Sequence, residues 1–258
     1  MPYLAIKDEQ AYYISRRGAT TGSAPLVFVH GAGGCHQHWL YVLRALAHAT
    51  SYAPDLPGHG RSTGTGRNSI GAYADWLVAF LDVLGQERAV LVGHSLGGAV
   101  ALDLALRYPE RVAGLGLVGT GARLRVAPDI LDGVRHEFRP TVRRICEWCY
   151  GPHTRPEMLA LGEAQMEATP PGVLYDDFAA VDAFDVFGRL AEISAPAAII
   201  TGTEDRMTPP KYAVYLRDQL PNATLHLVDG AGHMVMIEQP EAVVEALRPL
   251  SSHVKESP

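Results

Sequence analysis

Three short stretches of the 258-residue chain carry side chains that could do chemistry together: Gly93-His94-Ser95-Leu96-Gly97, Thr203-Glu204-Asp205 and Gly232-His233. A serine hydroxyl is a poor nucleophile at neutral pH, so it needs a base that takes its proton and later returns it to a leaving group. His233 could be that base. A carboxylate would then hold the imidazole and stabilise its charged form, and Glu204, Asp205 and Asp229 are the acids near enough in sequence to strand ends to serve. Each residue also has a plainer reading: a serine in a glycine turn, a loop histidine, a carboxylate at a turn or helix start. Placement decides between them.

The elements that must do the placing can be read from pattern. Residues 89–92 form a short valine-rich apolar run that suits a strand buried on both faces, and from Leu96 to Leu106 small and straight-chain residues favour a packed helix. Ser95 therefore stands in a sharp strand-to-helix turn, with Gly93 and Gly97 keeping bulk away and Gly98 letting the helix lie close to the sheet. The helix start leaves the Leu96 N–H unpaired beside the serine. A second strand, residues 26–30, runs into Gly31-Ala32-Gly33-Gly34, a loop able to curl tightly. It fits neither phosphate-binding pattern, G-x-x-x-x-G-K-[ST] or G-x-G-x-x-G.

Further strands are expected at residues 51–55, 112–118, 197–202 and 224–228, with an edge hairpin from 3–7 and 11–16 joined through Asp8-Glu9-Gln10. Helices fall between them. One covers 39–47; one is capped by Ser69, carries Ile70, Tyr73, Leu77, Phe80, Leu81 and Leu84 on one face, and ends at Gly85. Thr208 and Pro209 form a cap and first turn for another, and Pro240 opens a last helix with Val243, Val244, Leu247 and Leu250 on one side. Strand-helix alternation implies a parallel sheet. From 120 to 189 the rhythm changes to short helices broken by prolines, with arginines that read as solvated ion-pair partners.

Composition narrows the class of protein. The chain is 47% hydrophobic, enough for one large core, and its 22 basic against 28 acidic residues give a formal charge of −6. Nothing suggests a nucleic-acid or membrane surface. No charged segment leads into an apolar one at the start, and no apolar run approaches about 18 residues, so a soluble, cytoplasmic protein is expected. Three cysteines make no disulfide framework. Cys146-Glu147-Trp148-Cys149 has C-x-x-C spacing but no second pair, which favours a packed helical pair over zinc. His36 and His38 fall on opposite sides of a helix with no third ligand nearby, which favours surface or loop histidines over a metal site.

Several of these motifs coincide with those of a known family. G-x-S-x-G between strand and helix, the loop Asp55-Leu56-Pro57-Gly58-His59-Gly60-Arg61-Ser62, which follows D-x-P-G-x-G-x-S, and the chain order Ser…Asp…His together resemble the cap-bearing α/β-hydrolase superfamily. The likeness extends to its small serine esterases, such as pimeloyl-acyl-carrier-protein methyl esterase and 3-oxoadipate enol-lactonase. It implies an α/β fold: a mostly parallel eight-stranded sheet flanked by helices, with core segments 1–119 and 190–258 and an inserted helical cap at 120–189. By the same resemblance Ser95, Asp205 and His233 form the triad, and the backbone N–H groups of Ala32 and Leu96 form an oxyanion hole. Cap residues Phe138, Trp148, Tyr150, Met158, Met166 and Tyr175, with Met234 beside the histidine, are the candidates to line the substrate pocket.

A serine in place of an aspartate nucleophile argues against dehalogenase and epoxide-hydrolase chemistry and for an acyl-enzyme. The expected activity is hydrolysis of a small-molecule carboxylic ester, with no metal or organic cofactor, by a monomer or homodimer. Carbon-carbon bond hydrolases of this fold usually carry tryptophan where this chain has Met234. Lactonase, thioesterase, perhydrolase and acyltransferase chemistry would reuse the same triad, and a ligand-binding receptor on a hydrolase fold is the non-enzymatic alternative.

Overall fold

Period-two packing on both faces of one sheet organises the molecule. The structure, a computed structural model, describes residues 2–19 and 23–252. Strands β1 (Tyr3–Ile6), β2 (Glu9–Arg16), β3 (Leu26–Val29), β4 (Ser51–Pro54), β5 (Ala89–His94), β6 (Val112–Val118), β7 (Ala197–Gly202) and β8 (Ala223–Val228) form one eight-stranded sheet in the order β1-β2-β4-β3-β5-β6-β7-β8. The first two pairings are antiparallel and the rest parallel. The hairpin turn is tighter than expected. Lys7 and Asp8 make it, Lys7 at φ 53°, and Glu9 and Gln10 pair with Ile6 and Ala5 inside the ladder.

Every residue of β3, β5, β6 and β7 is buried, which explains their near-continuous apolar sequence. Val27 and Val29 face one layer, with α2 (Ile70–Val83) and α3 (Leu96–Arg107) packed over it; Leu26 and Phe28 face the other, with α1 (Leu40–Ala45). At the chain's end, α8 (Pro210–Gln219) joins the first layer, while α9 (Val235–Glu238) and α10 (Pro240–Ser252) join the second. Each fully buried Leu or Phe contributes roughly 1.5–3 kcal/mol, so the sheet is a rigid base for what its loops carry. The local signals act as expected: Ser69 Oγ accepts from Ala72 N at 3.3 Å, and Gly85 follows α2 at φ 68°. No described helix is long and apolar enough to cross a membrane.

Between β6 and β7 the chain leaves the sheet for α4 (Pro128–His136), α5 (Phe138–Cys149), α6 (Pro156–Glu167) and α7 (Pro171–Ala183). The two ends of this insertion are drawn together by a bridge between Arg123 and Asp185 and by Val186 N donating to Ala122 O at 2.8 Å. Its arginines pair mostly at the surface, as with Arg143 and Glu163 or Arg144 and Asp129, where each pair adds about 0–1 kcal/mol. Its cohesion comes instead from buried Ile130, Val134, Val142, Ile145, Leu174 and Phe178.

Candidate active site

Ser95 sits between β5 and α3 at φ 52° and ψ −113°, a conformation that costs a non-glycine residue about 1–3 kcal/mol. Its surroundings hold it there. A Cβ on Gly93 would lie 2.1 Å from Gly97 O, and one on Gly97 would lie 2.4 Å from Val29 O, so no other residue fits at either place. Ser95 N donates to Val118 O at 2.9 Å, and Thr120 Oγ1 donates to Ser95 O at 2.9 Å.

Asp205 follows β7 and His233 follows β8; both are 3% exposed. His233 Nδ1 lies 2.9 Å from Asp205 Oδ2, which selects among the three candidate acids, since Glu204 and Asp229 are exposed. Burial pushes the Asp205 carboxyl up, but the adjacent imidazole and hydrogen bonds from Thr208 outweigh it and hold the group below its ordinary value. The His94 ring lies tilted against that of His233 with centroids 4.5 Å apart, and its Nε2 donates to His233 O at 3.1 Å. Burial, then the neighbouring ring, holds His94 well below the ordinary histidine value, so it is neutral.

Thr208 does not cap α8 as the sequence suggests. That helix starts at Pro210, and Thr208 Oγ1 instead donates to Asp205 Oδ2 at 2.8 Å and lies 3.2 Å from His233 Nδ1. Asp205 Oδ1 accepts from Met207 N and Thr208 N at 2.9 and 2.8 Å. This is an Asx-type turn, and the D-x-x-T-P pattern was the signal for it.

Ser95, His233 and Ala32 line a single narrow cleft. The hydrogen bonds on the His233 ring are at Nδ1, and among the described residues none joins Ser95 Oγ to the ring in this conformation. Such bonds often tighten only when substrate binds. Leu96 opens α3, so its N–H has no partner within the helix. Among the described residues neither Ala32 N nor Leu96 N donates a backbone hydrogen bond outside regular structure. The turn bearing Ala32 is closed by Gly34 N and His30 Nδ1, both donating to Gly31 O at 3.0 and 2.8 Å.

Of the seven expected pocket residues, Tyr150, Met166 and Met234 line this cleft. Trp148 lines an adjoining hollow that also reaches Ser95 and Ala32. Phe138, Met158 and Tyr175 line neither. Phe138 lies two turns before the α5 face that meets the cleft, and the Tyr175 ring is covered by the Arg135 guanidinium at 3.7 Å. The sequence reading missed Ile145, Cys146, Cys149, Phe178 and Met207, and the polar pair His38 and Gln165. The cysteines are free and buried, a helical pair as expected, and the i, i+3 spacing that places both on one helix face was their signal.

His36 and His38 are not surface histidines. His36 is buried and its Nδ1 lies 2.8 Å from Asp55 Oδ1, while His38 Nε2 meets Gln165 Oε1 at 2.5 Å beside the cleft. Cys35, His36 and Asp55 bring possible ligand atoms within 4.8 Å of one another. Their present bonding is that of a structural knot: Asp55 also accepts from His36 N and Arg61 N, and burial pushes the Cys35 thiol up to about 11, away from the thiolate a metal needs. Asp55 thus holds the loop after β4 in shape, as its motif implies.

Comparison with known proteins gives the family. The alpha/beta hydrolase family matches residues 26–246, and the chain belongs to that family. It is 34% identical over 272 residues to the 2-hydroxy-6-oxononadienedioate/2-hydroxy-6-oxononatrienedioate hydrolase of Burkholderia vietnamiensis, covering 94% of this chain and 93% of that protein. It is 30% identical over 240 residues to the pimeloyl-[acyl-carrier protein] methyl ester esterase of Pectobacterium carotovorum, covering 87% and 92%. Among solved structures, a thermophilic esterase superposes with a TM-score of 0.85 at 32% identity, covering 98% of this chain and 97% of its own.

Proposed function

We propose that this protein is a serine hydrolase that cleaves a small carboxylic ester through an acyl-enzyme. The observation that carries the reading is the buried His233–Asp205 pair, at 2.9 Å, whose imidazole shares one largely apolar cleft with the strained Ser95. Ser95 Oγ attacks the carbonyl carbon while its proton passes to His233 Nε2, and Asp205 stabilises the imidazolium. The carbonyl oxygen, now an oxyanion, takes hydrogen bonds from Ala32 N–H and Leu96 N–H. Collapse expels the alcohol, which leaves with the proton from His233, and water repeats the sequence to release the acid. The insertion at 120–189 acts as the cap, and the sulfur-bearing side chains of Cys146, Cys149, Met166, Met207 and Met234 offer an adaptable apolar surface to the acyl group.

The esterases among the relatives support this reading. The hydrolase of 2-hydroxy-6-oxononadienedioate favours a second one, in which the same triad works on such a compound. The two are separated by a panel of aryl esters of graded acyl length run beside a 2-hydroxy-6-oxo-dienoate. We expect ester turnover and covalent labelling of Ser95 by a fluorophosphonate, located by peptide mass spectrometry. Labelling without ester turnover, with the dienoate consumed, would transfer the assignment to the second reading; neither turnover nor labelling would leave a ligand-binding protein.

A further inference from the structure

The loop that bears Ala32 is gripped from two sides. On the sheet side, His30 Nδ1 and Gly34 N hold Gly31 O. On the other side, among the described residues every side chain bonded to the Gly33 backbone comes from the insertion: Asp177 Oδ2 accepts from Gly33 N at 2.9 Å, and Gln165 Nε2 and Thr169 Oγ1 donate to Gly33 O at 2.9 and 3.2 Å. Gly33 stands at φ 61°, and a Cβ there would lie 2.8 Å from Leu174 of α7. A peptide held only at its carbonyl oxygen can still swing about that contact. Fixing the next N–H as well removes the freedom, and with it the freedom of the Ala32 N–H.

Asp177 is itself immobilised in the core. It is 1% exposed and accepts from His59 Nε2 at 2.8 Å and from the Tyr73 hydroxyl, so β4's loop, α2 and the Ala32 loop all converge on one carboxylate of α7. His59 Nδ1 faces Pro57 O at 3.0 Å. With acceptors at both nitrogens the ring carries both protons and is a cation, matched to the carboxylate.

We infer that Asp177 is a positioning residue for oxyanion stabilisation: the cap both covers the cleft and sets the direction of the Ala32 N–H. This rests on the serine-esterase reading, in which Ala32 is a donor.

The test is Asp177→Ala, which removes the acceptor from Gly33 N, His59 Nε2 and the Tyr73 hydroxyl together. On an aryl ester, kcat should fall about 10- to 100-fold with KM within about twofold. A trifluoromethyl ketone adds a readout that packing damage alone would not move. Ser95 Oγ adds to its carbonyl carbon, the proton passes to His233, and the carbonyl oxygen becomes an oxyanion on the same donors. Its affinity should weaken by the factor lost in kcat/KM, while affinity for the product acid stays unchanged. If Asp177→Ala does not fold by circular dichroism, the double variant Gln165→Leu/Thr169→Val, which frees the Gly33 carbonyl at the far side of the same residue, is read by the same criteria. A folded variant with wild-type kcat and wild-type ketone affinity overturns the inference, as does a loss confined to KM. Wild-type protein that neither hydrolyses the ester nor binds the ketone overturns the esterase reading itself.

Discussion

Among the described residues three buried imidazole–carboxylate pairs have nearly equal lengths; beside His36–Asp55 stand two others, His233–Asp205 at 2.9 Å and His59–Asp177 at 2.8 Å. Their chemistry differs because of what the second ring nitrogen meets. In His59 it faces the Pro57 carbonyl, so both ring protons are held by acceptors of the fold and no nitrogen is left to take one from a substrate. In His233 the hydrogen bonds gather at Nδ1, and the ring lines the cleft that also holds Ser95. A short distance to a carboxylate therefore does not mark a base. An imidazole can accept a proton only if one nitrogen is kept from every donor and acceptor of the fold.

The comparison can be broken most decisively at the first pair. Ser95→Ala or His233→Ala should each lower kcat by about 10⁴-fold, and the double variant should be little worse, because the residues act as one unit. Steady-state kinetics of the three variants check this, and additive losses would show that the two side chains do not cooperate. At the second pair the expected effect is on stability. His59→Leu leaves the Asp177 carboxylate buried without its cation and should cost about 3–5 kcal/mol in urea unfolding. An unchanged midpoint would mean that the pair is not charged.

The smallest effect concerns pH. Burial pushes His59 down, but the charge and hydrogen bond of Asp177 and the Pro57 carbonyl outweigh it, so its folded value is raised. A raised histidine stabilises fully below its unfolded value of about 6.5, and this contribution is lost as pH rises through the folded value. Unfolding free energy of the wild type should therefore decline from about pH 6.5 upward, and in His59→Leu that slope should be reduced. Parallel slopes in the two proteins would remove His59 from the account.

The strands were legible because each is a short apolar run ended by turn residues, and the elbow because only Gly93 and Gly97 admit the backbone on either side of Ser95. The insertion was much less so. Asp176 and Asp177 are adjacent and chemically identical, yet one is half-buried and the other is the most heavily bonded carboxylate beside the Ala32 loop. Nothing in their local sequence separates them, since that depends on which face of α7 meets the core. Phe138 and Tyr175 were misplaced for the same reason: aromatic residues in such an insertion pack equally well toward the cleft or away from it.

What this sequence settles by itself is whatever local sterics and period dictate: a parallel sheet, a strained serine between β5 and α3, and the chain order of the three polar residues. What awaited the tertiary structure is every choice among like groups far apart in the chain. Asp205 rather than Glu204 or Asp229 meets the ring, and Asp177 rather than Asp176 reaches Gly33. A hydrogen bond acts over about 3 Å, whereas the residues it joins here are separated by 28 and 144 positions, so only the packing of whole elements could select them.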